Sequence, residues 1–271
     1  MTPGLSRPED IPVLRKLWTQ AFGDGDELLD PFFSMLYRPE DAFVIREGGQ
    51  VKSMAFQLPM TICADGRGWR AAYLYAVATG ETARGKGFCA ELLAYAGEVL
   101  AERGCRALLL VPGEPGLRAF YRAKGYVDFS TVDRFETEAA PWPGGAEEIE
   151  PPEYLELREG LLAERAYVSC PVPILAFQER MVGLQGGGLF RLYDGRTEGC
   201  ACAALDGGDR AIVYELLWPG KREQGAALAA RAVGAARAAA RIPGGETPFA
   251  MVRWLAEAPA LSNPYLGIAL D

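Results

Sequence analysis

From Tyr73 to Cys89 the chain reads as a strand that runs into a glycine-bearing loop, which then opens a helix. No other segment limits the fold as much. Tyr73-Leu74-Tyr75-Ala76-Val77-Ala78-Thr79 is rich in aromatic and small apolar residues, while residues 87–103 carry a helical pattern closed by Gly104. Gly80, Gly85 and Gly87 sit in the loop between them. Glycines let a backbone approach a ligand closely, and a helix start supplies unpaired N–H groups at the positive end of its dipole. Together these features make a site for phosphate groups.

The elements around this segment read as a mixed α/β domain. Ser6-Arg7-Pro8-Glu9 has capping-box spacing ahead of a helical stripe of Ile11, Leu14, Leu17, Trp18, Ala21 and Phe22, which Gly23 stops. A short helix over 28–37 comes next. Residues 42–46 and 51–62 read as strands about the Glu47-Gly48-Gly49-Gln50 turn, and Asp65-Gly66-Arg67-Gly68 turns the chain into a strand over 70–79. After the helix come a buried strand (107–111), a helix (117–124) and a strand (126–136).

Four prolines, two glycines and an acidic run between Ala140 and Pro152 then break the pattern. The second half repeats part of the first half's order. It has a meander over 189–193, 197–205 and 211–218, an alanine-rich helix over 223–241, and closing strands at 249–255 and 265–270. The expected organisation is a first domain over 1–138, a linker over 139–153 and a second domain over 154–271.

Composition narrows the chemistry. The chain has no histidine, which excludes His-based triads and His-ligated metal sites, so acid or base must come from Asp, Glu, Tyr, Cys, Lys, a terminus or water. A net charge of −8 argues against nucleic acid as a partner. The six cysteines show no CxxC pair, which fits buried thiols in a reducing cytoplasm; Cys200 and Cys202 share one face of a strand. With no long apolar run and no signal pattern, neither membrane nor metal is expected.

Two kinds of phosphate loop compete for the glycine segment. Gly80-x-x-x-x-Gly85-Lys86 fits a P-loop until Gly87, where a hydroxyl for Mg²⁺ is required; the later strand runs into Pro112 without an acidic residue. Arg84-Gly85-Lys86-Gly87-Phe88-Cys89 instead resembles the pyrophosphate loop [QR]-x-x-G-x-[GA] of the GCN5-related N-acetyltransferases (GNATs), with Cys89 departing at the last position. Leu117-Arg118-Ala119-Phe120-Tyr121-Arg122-Ala123-Lys124-Gly125-Tyr126 is similar to that family's helix with a tyrosine four residues before Gly-Phe/Tyr. Its frequent asparagine is Glu114 here.

The resemblance covers most of residues 1–137. It implies the acyl-CoA N-acyltransferase fold and direct acetyl transfer from acetyl-CoA to a primary amine, on a small molecule or peptide. Backbone N–H groups of Arg84, Gly85, Lys86, Gly87, Phe88 and Cys89 would hold the pyrophosphate. Val77, Ala78 and Thr79 would pair with the pantetheine arm and polarise the thioester carbonyl. Arg84, Lys86 and Arg122 would add positive charge. Tyr121 would protonate the departing thiolate, although a tyrosine at this spacing also suits packed core.

The family's strand-four glutamate is absent from residues 70–79, leaving Glu81, Glu114, a carboxylate of the second half or water as base. Phe32, Phe33, Tyr37, Tyr73 and Tyr75 suit either an acceptor pocket or core. Arg222-Glu223-Gln224-Gly225-Ala226-Ala227 fits the loop pattern without departure, yet its approach is short and contains Pro219, and no Tyr-x-x-x-Gly helix comes after it. The second half therefore resembles a degenerate partner domain, as in Eis-like tandem members. Dimers are frequent in the family, which allows a homodimer, and the sequence leaves the oligomeric state open. A non-catalytic acyl-CoA sensor stays open beside the enzyme.

Overall fold

A computed structural model describes residues 1–270. In chain order the elements are β1 (Thr2–Leu5), α1 (Ile11–Phe22), α2 (Asp26–Met35), β2 (Ala42–Glu47), β3 (Gln50–Ala64), β4 (Arg67–Thr79), α3 (Phe88–Glu102), β5 (Ala107–Leu110), α4 (Leu117–Arg122), β6 (Val127–Asp128) and β7 (Thr131–Glu138). They continue with β8 (Gly145–Glu148), α5 (Pro151–Leu162), β9 (Tyr167–Ser169), α6 (Val172–Gly183), β10 (Gly188–Tyr193), β11 (Glu198–Leu205) and β12 (Arg210–Leu217). The last are α7 (Arg222–Ala232), β13 (Arg237–Pro243), β14 (Thr247–Pro248) and β15 (Met251–Trp254).

Two compact units result, one from residues 1–61, 69–127 and 251–259, the other from 62–68, 128–250 and 260 onward. In the first unit the sheet order is β1-β2-β3-β4-β5-β15-β6. β1, β2 and β3 pair antiparallel, β4 and β5 pair parallel, and β15, from the far end of the chain, pairs antiparallel with β5.

One face of this sheet, with Phe43, Ile45, Ala72, Leu74, Leu108 and Leu110, packs on Leu92, Leu93, Ala96 and Leu100 of α3. Apolar residues at helical spacing remove one stripe of α3 from water, at roughly 1.5–3 kcal/mol for each fully buried leucine. An aromatic cluster centred on Trp18 forms the other core, with ring centroids 4.6 Å from Phe32 and 5.4 Å from both Phe56 and Tyr75. Gly23, at φ 82°, ends α1 as its position in the sequence requires.

The second unit's sheet runs β14-β7-β13-β12-β11-β10-β8. Its core is built from small residues: Ala201 and Ala203 of β11 and Ala238 and Ala240 of β13 meet Ala226, Ala229 and Ala230 of α7. Cys200 and Cys202 alternate with those alanines and are fully buried on the opposite face.

Several elements depart from the sequence reading. The alanine-rich helix ends at Ala232; Gly234 takes φ 74°, and residues 237–243 form β13. Alanine favours a helix locally, but pairing with both β12 and β7 outweighs that preference. The strand expected over 126–136 is two strands, with β6 at the edge of the first sheet and β7 in the second. α5, α6, β8 and β9 carry no clear pattern in the sequence, and α5 has two prolines in its first turn. Residues 265–270 make no strand, only an isolated bridge between Tyr265 and Tyr167. At the N-terminus the capping pair is shifted. Asp10, not Glu9, accepts the Arg7 N–H at 2.7 Å, and the Ser6 hydroxyl bonds to that of Tyr37.

Candidate active site

β4 and β5 are in register only from Ala71 to Tyr73, paired with Ala107 to Leu109. Beyond Tyr73, β4 runs on to Thr79 while β5 stops at Leu110, so the parallel pair opens into a fork. Ala76 inside this stretch takes φ 47°, a left-handed conformation rare for a residue with a Cβ. The facing shifts there: Ala72 and Leu74 belong to the α3-side core, and next against that core is Val77 rather than residue 76. A one-residue irregularity of this kind re-aims the peptide groups after it. Two hydroxyls fix the strand end from the β3 side. Ser53 Oγ donates to the Ala78 carbonyl at 2.9 Å and lies 2.8 Å from Thr79 Oγ1.

The loop then anchors itself through Gly80 N–H to the Lys52 carbonyl (2.9 Å), a turn of 3-10 helix over Glu81–Ala83, and Arg84 Nε to the Thr79 carbonyl (3.2 Å). Ala83 and Phe88 are buried on either side of an exposed Arg84–Gly87 stretch. Gly85 and Gly87 adopt φ 74° and 86°, and a Cβ at either would meet no atom within 4 Å. Both glycines are therefore required by conformation and leave open space over the loop. The first amides of α3 come at once after them, without intrahelical acceptors. Val77 to Thr79 and Arg84 to Cys89 are thus brought to the two sides of one loop at the fork.

Tyr121 lies on α4, 7% exposed, with its ring edge-on to Tyr126 at 5.6 Å. Burial pushes its phenol well above the usual tyrosine value, and the neighbouring Cys89 adds to the shift, so the group is a protonated acid at neutral pH. Burial also pushes the Cys89 thiol up to about 11, with Lys124 partly opposing, so this cysteine is not a thiolate nucleophile. The carboxylates Glu81 and Glu114 are both exposed, and Glu81 opens the 3-10 turn of the loop. Phe32, Tyr37 and Tyr73 are core residues, whereas Phe33 and Tyr75 are only half-buried.

The second unit has the same fork in its sheet, and the Arg241 side chain closes its base. β12 and β13 are in parallel register from Arg210 to Val213 and Arg237 to Ala240. At the next residue on each strand, Arg241 Nε donates to the Tyr214 carbonyl (2.7 Å) and Nη2 to the carbonyl of Gly267 (2.8 Å). Gly267 also lies so close to Glu215 that a Cβ would run into the carboxylate. Glu215, fully buried, is held by Arg158 through Nε (2.8 Å) and Nη2 (3.1 Å) and by the Tyr154 hydroxyl (2.9 Å). The near-motif Arg222–Ala227 lies wholly inside α7 rather than ahead of it. Its Gly225 serves packing, since a Cβ there would sit 2.7 Å from Trp218. A cavity of about 930 Å³ remains at the mouth of this fork, lined by Leu217, Trp218 and Pro219 at the end of β12, Ile242 and Pro243 of β13, and Arg222.

Residues 5–127 match the family model of the acetyltransferase (GNAT) domain. That stretch is similar to the GNAT domain. The chain's fold is mixed α/β and tandem, with one mixed sheet in each unit. A GCN5-related N-acetyltransferase from Kribbella flavida superposes with TM-score 0.70 at 16% identity, over 94% of this chain and 72% of that one. Eis1 from Mycobacterium abscessus gives 0.65 at 12%, over 94% and 74%. A tandem GNAT protein from the clavulanic acid biosynthesis pathway gives 0.52 at 12%, over 95% and 99%. Identities this low speak to the fold. No curated protein matches the sequence significantly.

The GNAT resemblance implies acetyl-CoA, and the first unit fits it. A left-handed glycine pair with free space above it and two exposed cations precedes a helix start, next to the stretch of β4 that runs beyond β5. Sequence reasoning missed Ser53 and Ala76. Their roles depend on partners from other elements, and only the serine's position between apolar strand residues was a signal.

Proposed function

We propose that the first unit transfers the acetyl group of acetyl-CoA to a primary amine by direct attack, with both substrates bound. The observation that carries this is the open fork of β4 and β5, ended by the Gly85–Gly87 loop and the start of α3, with the protonated phenol of Tyr121 nearby. Amides of Arg84 to Cys89 would hold the pyrophosphate, and the Val77 to Thr79 edge would hold the pantetheine and polarise the carbonyl. The amine nitrogen bonds to the acetyl carbon, the carbon–sulfur bond breaks with its electron pair on sulfur, and Tyr121 supplies the proton to sulfur. With no acidic residue on β4, the amine's proton goes to water, and the acceptor reacts as free amine.

The acceptor is a small molecule or peptide. Six free thiols fit a reducing compartment, which supports a cytoplasmic enzyme. No helix among the described residues is long and apolar enough to cross a membrane. We place cofactor binding in the first unit alone, because the glycine loop ahead of a helix start is there, whereas the near-motif of the second unit lies inside α7.

The test is thiol release from acetyl-CoA across a panel of aminoglycosides, polyamines, amino acids and peptides. Release with at least one amine, lowered in Tyr121→Phe at unchanged acetyl-CoA affinity, supports the enzyme. The missing β4 carboxylate favours one second reading, an acyl-CoA sensor, for which binding would occur with no release across the panel.

A further inference from the structure

Thr79 is the last residue of β4, and its neighbours fix where its backbone polar groups point. The Ala78 carbonyl accepts from Ser53 Oγ of β3 at 2.9 Å, and the Gly80 N–H donates to the Lys52 carbonyl of β3 at 2.9 Å. A trans peptide unit is planar, with its N–H and C=O on opposite sides. The Thr79 N–H shares a unit with the Ala78 carbonyl, and the Thr79 carbonyl shares one with the Gly80 N–H. Both Thr79 groups therefore point away from β3, toward the fork on the β5 side of the strand.

These two groups are not equally open. Arg84 Nε donates to the Thr79 carbonyl at 3.2 Å, so that acceptor is covered and the N–H is the group presented to the fork. Its direction needs support from outside β4, because Ala76 at φ 47° interrupts the strand upstream and the β5 register ends at Tyr73. Ser53 supplies that support. Its side chain is 0% exposed, and its proton goes to the Ala78 carbonyl, so the Thr79 hydroxyl is the donor across the 2.8 Å contact between the two side chains. Hydrogen bonds in series strengthen one another, and this series ends on the peptide unit that carries the Thr79 N–H.

We propose that Ser53 is a positioning residue for the cofactor, turning the Ala78–Thr79 peptide so that the Thr79 N–H donates to an amide carbonyl of the pantetheine arm. This rests on the reading of the first unit as an acetyl-CoA site. Thr79 leads directly into the loop assigned to the pyrophosphate, so the portion of the cofactor beside it is the arm next to that group rather than the thioester. Ser53 is on the β3 side of the strand and acts only through this peptide.

The experiment is isothermal titration of CoA and of ADP, which has the pyrophosphate and no arm, into wild type, Ser53→Ala, Thr79→Val, Thr79→Ser and the double variant Ser53→Ala/Thr79→Val, with circular dichroism as the check on folding. In Ser53→Ala, CoA affinity should fall about three- to tenfold, the scale of one hydrogen bond, while ADP affinity stays at the wild-type value. Thr79→Val should show a smaller loss of the same kind, and Thr79→Ser, which keeps the hydroxyl, none. The double variant should bind CoA no more weakly than Ser53→Ala, because the Thr79 hydroxyl acts through Ser53.

Unchanged CoA affinity in folded Ser53→Ala would overturn the proposal. Equal losses for CoA and ADP would overturn it in favour of a general role in holding the loop. Should Ser53→Ala fail to fold, Thr79→Val decides: a loss confined to CoA supports the proposal, and unchanged CoA affinity overturns it. A wild-type protein that binds no CoA would remove the underlying reading instead.

Discussion

Tyr121 and Tyr126 are buried phenols, and burial raises both above the ordinary value of 10.0. The folded protein therefore keeps these protons at a pH where the unfolded chain has begun to lose them. The stabilising contribution is fully present below about pH 10 and declines as pH rises above it, because unfolding then releases protons. Denaturant titrations from about pH 8 to about pH 11 should show this decline, and replacing both tyrosines by phenylalanine should make it shallower, with the remainder carried by Tyr154, Tyr265 and the buried thiols, which burial also raises. No loss of kcat assignable to Tyr121 is expected below about pH 10.

At this scale the loop was legible in the sequence, since glycine conformation and helix-start chemistry are local properties of Arg84 to Cys89. The approach of Arg253 to Gly125 was not. The two lie more than a hundred positions apart, and only the sheet brings them together.

Each fork takes its character from the residues at its mouth. β4 and β5 part after Tyr73, with glycines and a helix start at the opening; β12 and β13 part after Val213, with Arg241 and Gly267 between them. Gly267 is small because Glu215 is immediately beside it. Gly267→Ala should overpack this buried site and cost about 1–3 kcal/mol, read by chemical denaturation, with acetyl-CoA affinity unchanged. Helices with a clear apolar stripe, such as α1, could be read from sequence, and so could strands bounded by glycine turns. The Arg237–Pro243 strand could not, because an alanine run has helical preference and becomes a strand only through the β7 and β12 partners it meets in the fold.

Across the whole chain, β7 comes after the first unit in sequence but belongs to the second unit's sheet, and β15 comes after the second unit's strands but sits between β5 and β6. Neither sheet is complete from one contiguous half. Residues 1–138 expressed alone should lack β15, expose the edge of β5 and give no stable monomer; size exclusion and circular dichroism check this. The order of elements showed that two related halves exist, but it could not show this exchange, which is a matter of pairing rather than of periodicity.

One cofactor site per chain, in the first unit, is the centre of the account. Gly87 at φ 86° cannot take a β-branched side chain without strain. Isothermal titration of acetyl-CoA into wild type, Gly87→Val and Arg222→Ala tests it directly. The expected result is one molecule per chain in wild type and Arg222→Ala, with binding lost in Gly87→Val while the protein stays folded. Two molecules per chain in wild type, or binding kept in Gly87→Val and lost in Arg222→Ala, would contradict it.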